Sequence, residues 1–181
     1  MRNLEKKSVI PENAPPMLCI VGFSGSGKTT VTVGLIETLK KRGLRVGTIK
    51  HDVHGFEMDR PGKDSWRHKQ AGASTTIISS PYQIGLVMDV DMDHKPDDLL
   101  PFLKAMDIVL AEGYKRENLP KIEVFRAEIS TEPVCKDDDH LLAIISESRI
   151  DLGIPKFAFH DIHQVADFIL DHFNLIPRQK P

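Results

Sequence analysis

A chain of 181 residues, 40% hydrophobic and 28% charged with a formal net charge of -2, suits one globular domain that can bury its own core. It has no overall basic bias towards nucleic acid and no apolar run of membrane-span length, and its two cysteines do not make a disulfide framework. Those exclusions together predict a cytoplasmic protein.

The opening stretch, MRNLEKKSVIPENAPP, carries basic residues with no apolar stretch behind them, which is not the pattern of a secretory signal. It is expected to be a mobile polar arm before a single domain over 17–175, with 176–181 as a tail.

Met17 to Val21 reads as a buried strand, in which Cys19 serves as a small apolar side chain. The strand runs into Gly22-Phe23-Ser24-Gly25-Ser26-Gly27-Lys28-Thr29, which matches G-x-x-x-x-G-K-[ST] at every fixed position. Glycines in such a loop let successive backbone N–H groups turn inward around an anion. Lys28 can reach the β- and γ-phosphates of a nucleoside triphosphate, and the Thr29 hydroxyl can enter the shell of a Mg2+ ion. Residues from Gly22 to Thr30 are therefore the predicted triphosphate cradle.

The spacing of Val31, Leu35 and Leu39 predicts a helix over 28–41, stopped by Gly43. RVGTIK (45–50) reads as a second strand, and so short a strand–helix–strand unit implies a parallel crossover. The predicted fold class is α/β, a phosphate-loop NTPase-like doubly wound sheet with helices on both faces. Ligands of such a sheet sit at the carboxyl ends of its strands.

A polar loop over 51–63 precedes a short helix, DSWRHKQA, with Asp64 as its N-cap and Gly72 as its stop. STTIIS (74–79) and QIGLVMD (83–89), joined by a Pro-Tyr turn, read as a hairpin that makes part of the sheet antiparallel. Asp89-x-Asp91-x-Asp93 imitates a calcium loop, but the site would lack its last ligand because Leu100 stands where a Glu is required. That stretch and Asp137-Asp138-Asp139 read as solvated acidic turns. Pro96 is expected to start a helix that reaches Lys104. DIVLAE (107–112), KIEVFR (121–126) and LLAIIS (141–146) are further strands, and a last helix is expected over 162–173. Cys135 falls in a polar loop with no metal-site spacing around it.

A phosphate-binding loop needs a nearby carboxylate for its metal, at the end of a neighbouring buried strand. Glu112, at the carboxyl edge of DIVLAE, and Asp52, just past the second strand, fit that demand. Each could instead be a loop carboxylate serving as a cap or an ion-pair partner. Asp107 begins its strand and so lies at the wrong end. His51 and His54 suit a polar lining better than a metal site, having no Cys beside them. Lys50, Lys63, Arg67, Lys115 and Arg116 could add positive charge for a second phosphorylated ligand, or could be ordinary surface residues. No D-x-x-G-Gln arrangement is present to position an attacking water, and no arginine finger is marked, so hydrolysis is expected to be slow or assisted.

The segments GFSGSGKTT, TIKHD, HGFEMDRPGKDSWRHKQAGA, LAEGYK and PKIEVFR, in that order and spacing, resemble the MobB-type adapters of molybdenum cofactor biosynthesis. The likeness is close from Met17 to Arg126 and general in the last third. It implies a GTP-binding protein with weak GTPase activity that assists the joining of GMP to molybdopterin. It also implies a homodimer formed through its sheets and a guanylyltransferase partner, with molybdopterin itself an open second ligand. Carried onto this chain, Gly22 to Thr30 would hold GTP, and Thr29, Asp52 and Glu112 would hold Mg2+. Lys28, Asp52 and Glu112 would act on the phosphates. The guanine-reading [NT]-K-x-D is absent, and the loop beginning Ser146-Glu147-Ser148 is the best candidate for a base contact. The rival reading is a small-metabolite kinase using ATP. It would need an acceptor-binding carboxylate and an arginine-rich lid, whereas only Arg60 and Arg67 lie near the long loop.

Overall fold

Uninterrupted apolar runs become strands covered on both faces, and the periodic segments between them become helices. In the computed structural model, residues 14–177 are described. The expected arm lies almost wholly outside them, as does most of the expected tail. The order is β1 (Met17–Val21), α1 (Lys28–Lys41), β2 (Val46–Lys50), α2 (Asp64–Gln70), β3 (Thr75–Ser79), β4 (Ile84–Met88) and α3 (Pro96–Leu99). A 3-10 turn (Leu100–Phe102), β5 (Ile108–Glu112), β6 (Lys121–Val124), β7 (Leu141–Ile145), β8 (Lys156–Phe157) and α4 (Ile162–His172) complete it. Contacts divide the chain into two units, one running up to His51 and again from Lys95, the other spanning Asp52–His94. The sequence pattern predicts a single domain over 17–175 without such a division.

The first unit is built on a six-stranded sheet in the order β2-β5-β1-β6-β7-β8, with every neighbouring pair parallel. Because side chains alternate along a strand, the two faces gather separate cores. Leu18, Ile20, Leu110, Ile122 and Val124 meet Leu35 and Leu39 of α1 and Val165 and Ile169 of α4. On the other face Met17, Cys19, Val21, Val109 and Ala111 meet Leu100, Cys135 and Leu141. That second face is covered by α3, the 3-10 turn and loop segments. α1 ends as expected: Gly43 adopts φ 84° and the Leu44 amide reaches back to the Leu39 carbonyl at 3.2 Å.

Several expectations need correction. The helix starting at Pro96 stops at Leu99 and tightens into the 3-10 turn, because Pro101 has no amide to continue the α-helical ladder. Asp64 is the first helical residue of α2, not its cap. The capping position is Lys63, with no side-chain bond, and Asp64 complements the helix dipole instead. The hairpin is real, with Thr75 opposite Met88 and Ser79 opposite Ile84, but it forms its own two-stranded sheet within the second unit. Pairing is a local property closed by the turn, where the Ser80 amide donates to the Gln83 carbonyl at 2.9 Å. Which sheet the pair joins is not written in its period.

β6 holds the largest surprise. Lys121 and Glu123 are both fully buried on this strand. The Lys121 ammonium donates to the Glu117 carbonyl at 2.8 Å and to the Asp138 carboxylate. Glu123 accepts the amides of Val134 at 2.7 Å and Cys135 at 2.8 Å. The acidic run at 137–139 is therefore not merely solvated, since Asp138 anchors a buried cation. Cys135 is itself buried, and burial pushes its thiol up to about 11 and that of Cys19 to about 12. Both stay protonated at neutral pH and behave as apolar side chains.

Candidate functional site

β1 delivers the chain at Val21 into the glycine-rich loop at the carboxyl edge of the first unit's sheet. Gly22 turns with φ 136°, and a Cβ there would lie 2.3 Å from the Val124 carbonyl oxygen, so only glycine passes that neighbour. Gly27, at φ 102°, is the left-handed residue from which α1 starts. The loop is pinned by the Ser26 amide donating to the Phe23 carbonyl at 3.2 Å. The first amides of α1 have no carbonyl of their own helix to bond, which makes this end a natural anion seat.

Side chains converge on that seat. Lys28 Nζ crosses the loop to the carbonyls of Gly22 at 3.1 Å and Phe23 at 2.8 Å. Thr29 Oγ1 donates to both oxygens of Glu112 at 3.1 Å. Register explains the meeting, because Ile20 of β1 and Lys50 of β2 both stand beside Glu112 at the end of β5. Beyond Glu112, Gly113 at φ 109° and Tyr114 at φ 55° make a sharp turn, with Tyr114 stacked on His51 at 4.5 Å. A non-glycine residue in this region is uncommon and costs energy. The turn brings the Lys115 ammonium to 5.8 Å from the Phe23 ring.

Thus the structure gathers Lys28, Thr29, Glu112 and Lys115 around the loop, while Ser24, Gly25 and Thr30 are exposed on it. Asp107 lies before β5, at the far end, accepting the Arg45 amide at 2.6 Å. Asp52 belongs to the second unit, where its Oδ1 accepts the His54 amide at 2.9 Å. Lys63 and Arg67 are in that unit too. Among the described residues, no three His, Cys, Asp or Glu side chains come together as a metal site.

One residue at the loop was missed. Arg126 Nε donates to the Ser26 carbonyl at 3.0 Å, and its guanidinium lies 4.0 Å from the Phe159 ring centroid. The signal was available, since Arg126 is a charged residue just past a buried strand beside β1, the same placement that singled out Glu112.

A parallel sheet, a central strand running into this loop and a helix leaving it define a phosphate-loop protein of the α/β class. The family model of molybdopterin guanine dinucleotide synthesis protein B matches residues 17–147. The molybdopterin-guanine dinucleotide biosynthesis adapter protein of Haemophilus influenzae is 37% identical over 93% of this chain and 97% of its own. Its Escherichia coli counterpart is 34% identical over 86% of this chain and 92% of its own. Among solved structures, Bacillus subtilis MobB superposes with a TM-score of 0.68 at 26% identity, covering 91% of this chain and 99% of that one. The chain belongs to the molybdopterin guanine dinucleotide synthesis protein B family.

Proposed function

We propose that this protein is a GTP-binding adapter that assists the attachment of GMP to molybdopterin, with slow Mg2+-dependent GTPase activity. The adapter role in molybdenum cofactor biosynthesis follows from the family. The observation that supports nucleotide and metal at one place is the pairing of the Thr29 hydroxyl with the Glu112 carboxylate beside Lys28. These donors are hard oxygens, the kind Mg2+ selects, next to a cradle in which Gly22 admits no side chain. Thr29 and Glu112 would hold the ion, which supplies charge neutralisation at the phosphate oxygens when bound. Asp52 is retained as the sequence-based candidate for the same ion. Lys28 and the loop amides bind and orient the triphosphate. With no water-positioning glutamine in the sequence, hydrolysis is slow unless a partner completes the site. The pathway implies a molybdenum cofactor guanylyltransferase as that partner, with molybdopterin as a further ligand. Two free cysteines, both buried, fit a reducing cytoplasm.

The test is calorimetric titration of the full chain with GTP and ATP, with and without Mg2+. Tighter binding of GTP, strengthened by Mg2+, is the expected result. Glu112→Gln should lower the Mg2+-dependent gain roughly tenfold, the worth of a charged oxygen ligand. Stronger binding of ATP than of GTP would reverse the reading.

We also infer a homodimer. Ile77, Ile84, Leu86 and Met88 share one face of the β3–β4 sheet and are 64%, 74%, 38% and 46% exposed. A two-stranded sheet is marginal alone, and both of its outer edges lack a strand partner among the described residues. A second copy of the same apolar stripe satisfies both needs. Light scattering should return twice the 20.3 kDa chain mass, falling to one chain in Ile77→Lys/Leu86→Lys. A wild-type monomer at all concentrations would remove this inference.

A further inference from the structure

A cleft of about 160 Å³ lies beside the phosphate-binding loop, and nothing in the phosphate chemistry uses it. Its walls are Phe125, Arg126 and Glu128 after β6, Glu147 and Ser148 after β7, and Phe159 after β8. Since β1, β6, β7 and β8 are consecutive parallel neighbours, the segments at their carboxyl ends stand in a row. A ligand with its phosphates in the β1 loop can extend along this row or towards β5 on the other side. The β5 side carries Glu112, paired with Thr29, and takes the metal and terminal phosphates. The nucleoside end therefore points towards β6, β7 and β8.

The cleft is also held in shape. Arg126 ties it to the loop through the Ser26 carbonyl and stacks on Phe159. The buried Ser146 hydroxyl accepts the Ser148 amide at 3.0 Å, and Ser148 Oγ accepts the Ala127 amide at 3.3 Å, fastening the β7 loop to the chain after β6. Glu147 Oε1 accepts the Phe159 amide at 2.9 Å and has His160 Nδ1 4.0 Å away, which fixes the carboxylate at the rim and leaves Oε2 and the second lone pair of Oε1 for a ligand.

We propose that this cleft reads the purine base, with Glu147 accepting the N1–H and 2-amino protons of guanine and the Arg126–Phe159 stack forming a flat wall. The assignment rests on triphosphate binding at the loop, as argued above. Adenine presents an acceptor nitrogen at the same edge and no 2-amino group, so a carboxylate acceptor disfavours it. This replaces the missing [NT]-K-x-D with an acid from the neighbouring loop.

The experiment is calorimetric titration of full-length wild type and Glu147→Gln with the Mg2+ complexes of guanosine, inosine, adenosine and xanthosine triphosphates. Wild type should rank guanosine above inosine above adenosine. Glu147→Gln should lose roughly 100-fold for guanosine triphosphate and nothing for adenosine triphosphate, the loss expected when charged hydrogen bonds go. It should also gain affinity for xanthosine triphosphate, because an amide offers one acceptor for N1–H and one donor for the C2 carbonyl. A misfolded variant cannot produce that gain. An unchanged preference for guanosine in Glu147→Gln, or an equal loss for every base, overturns the base assignment while leaving the loop's role intact. Wild type binding no triphosphate overturns the loop reading and this assignment with it.

Discussion

Lys28→Ala is expected to weaken GTP binding about 100-fold while leaving the melting curve of the protein in place. The two effects separate because of what the ammonium touches. Its bonds go to the Gly22 and Phe23 carbonyls, both parts of the loop, and none goes to the sheet core. Alanine suits the first turn of α1, so the helix survives the change. On the proposed reading, what disappears is a positive charge that faces the β- and γ-phosphates from within the loop. Truncating one partner of a close charge pair commonly costs about 2–5 kcal/mol in binding, which brackets a hundredfold loss. Titration calorimetry and thermal circular dichroism on the same sample measure both halves. Affinity within a few-fold of wild type would mean that this loop is not where the triphosphate sits.

Lys121→Met acts in the opposite way, on stability. The methionine matches the stem of the lysine but abandons the Asp138 carboxylate and the carbonyls of Lys115 and Glu117. Breaking a buried charge pair by removing one partner costs about 3–5 kcal/mol. For a chain of this size that lowers the melting temperature by roughly 10 °C. The acid limb should change as well. Burial tends to raise Asp138, but its bonds to Lys121 and His140 outweigh burial and hold it below its ordinary 3.8. A lowered folded-state value means that its stabilisation is complete above the ordinary value and fades as pH falls through the lowered one. Lys121→Met should flatten that loss. Glu123 has the reverse sign, since burial raises it despite the Val134 and Cys135 amides. Its contribution is complete below the ordinary carboxylate value and declines as pH rises through the raised one. Urea unfolding of both proteins across the acid range would show the two slopes, and equal acid slopes would contradict the role given to Lys121.

The parts of the fold that were legible are those with local causes. A glycine spacing, an apolar run and a 3.6-residue period each act over a few neighbours, so β1, the loop and α1 could be read directly. Glu112 was found because an acid ending a buried strand must sit at the sheet's edge. Lys121 and Glu123 were hidden for the same reason in reverse. Read in isolation, KIEVFR alternates charged and apolar residues and looks half solvated, and only the distant Asp138 and the amides of 134 and 135 make its burial tolerable. The separation of Asp52–His94 as its own unit, likewise, is a property of contacts between segments and leaves no trace in any one of them.

The order of strands has one more consequence. β1, which carries the phosphate-binding loop, pairs only with β5 and β6, joining Met17 to Val109 and Cys19 to Lys121. Neither neighbour exists when β1 leaves the ribosome, and the Val124 carbonyl that lies against Gly22 arrives only with the last residue of β6. The hairpin of β3 and β4 can close on itself in the meantime, since its partners are a turn apart. The nucleotide seat is therefore not assembled until β5 and β6 have been made, and competence to bind marks a sheet whose middle has been finished.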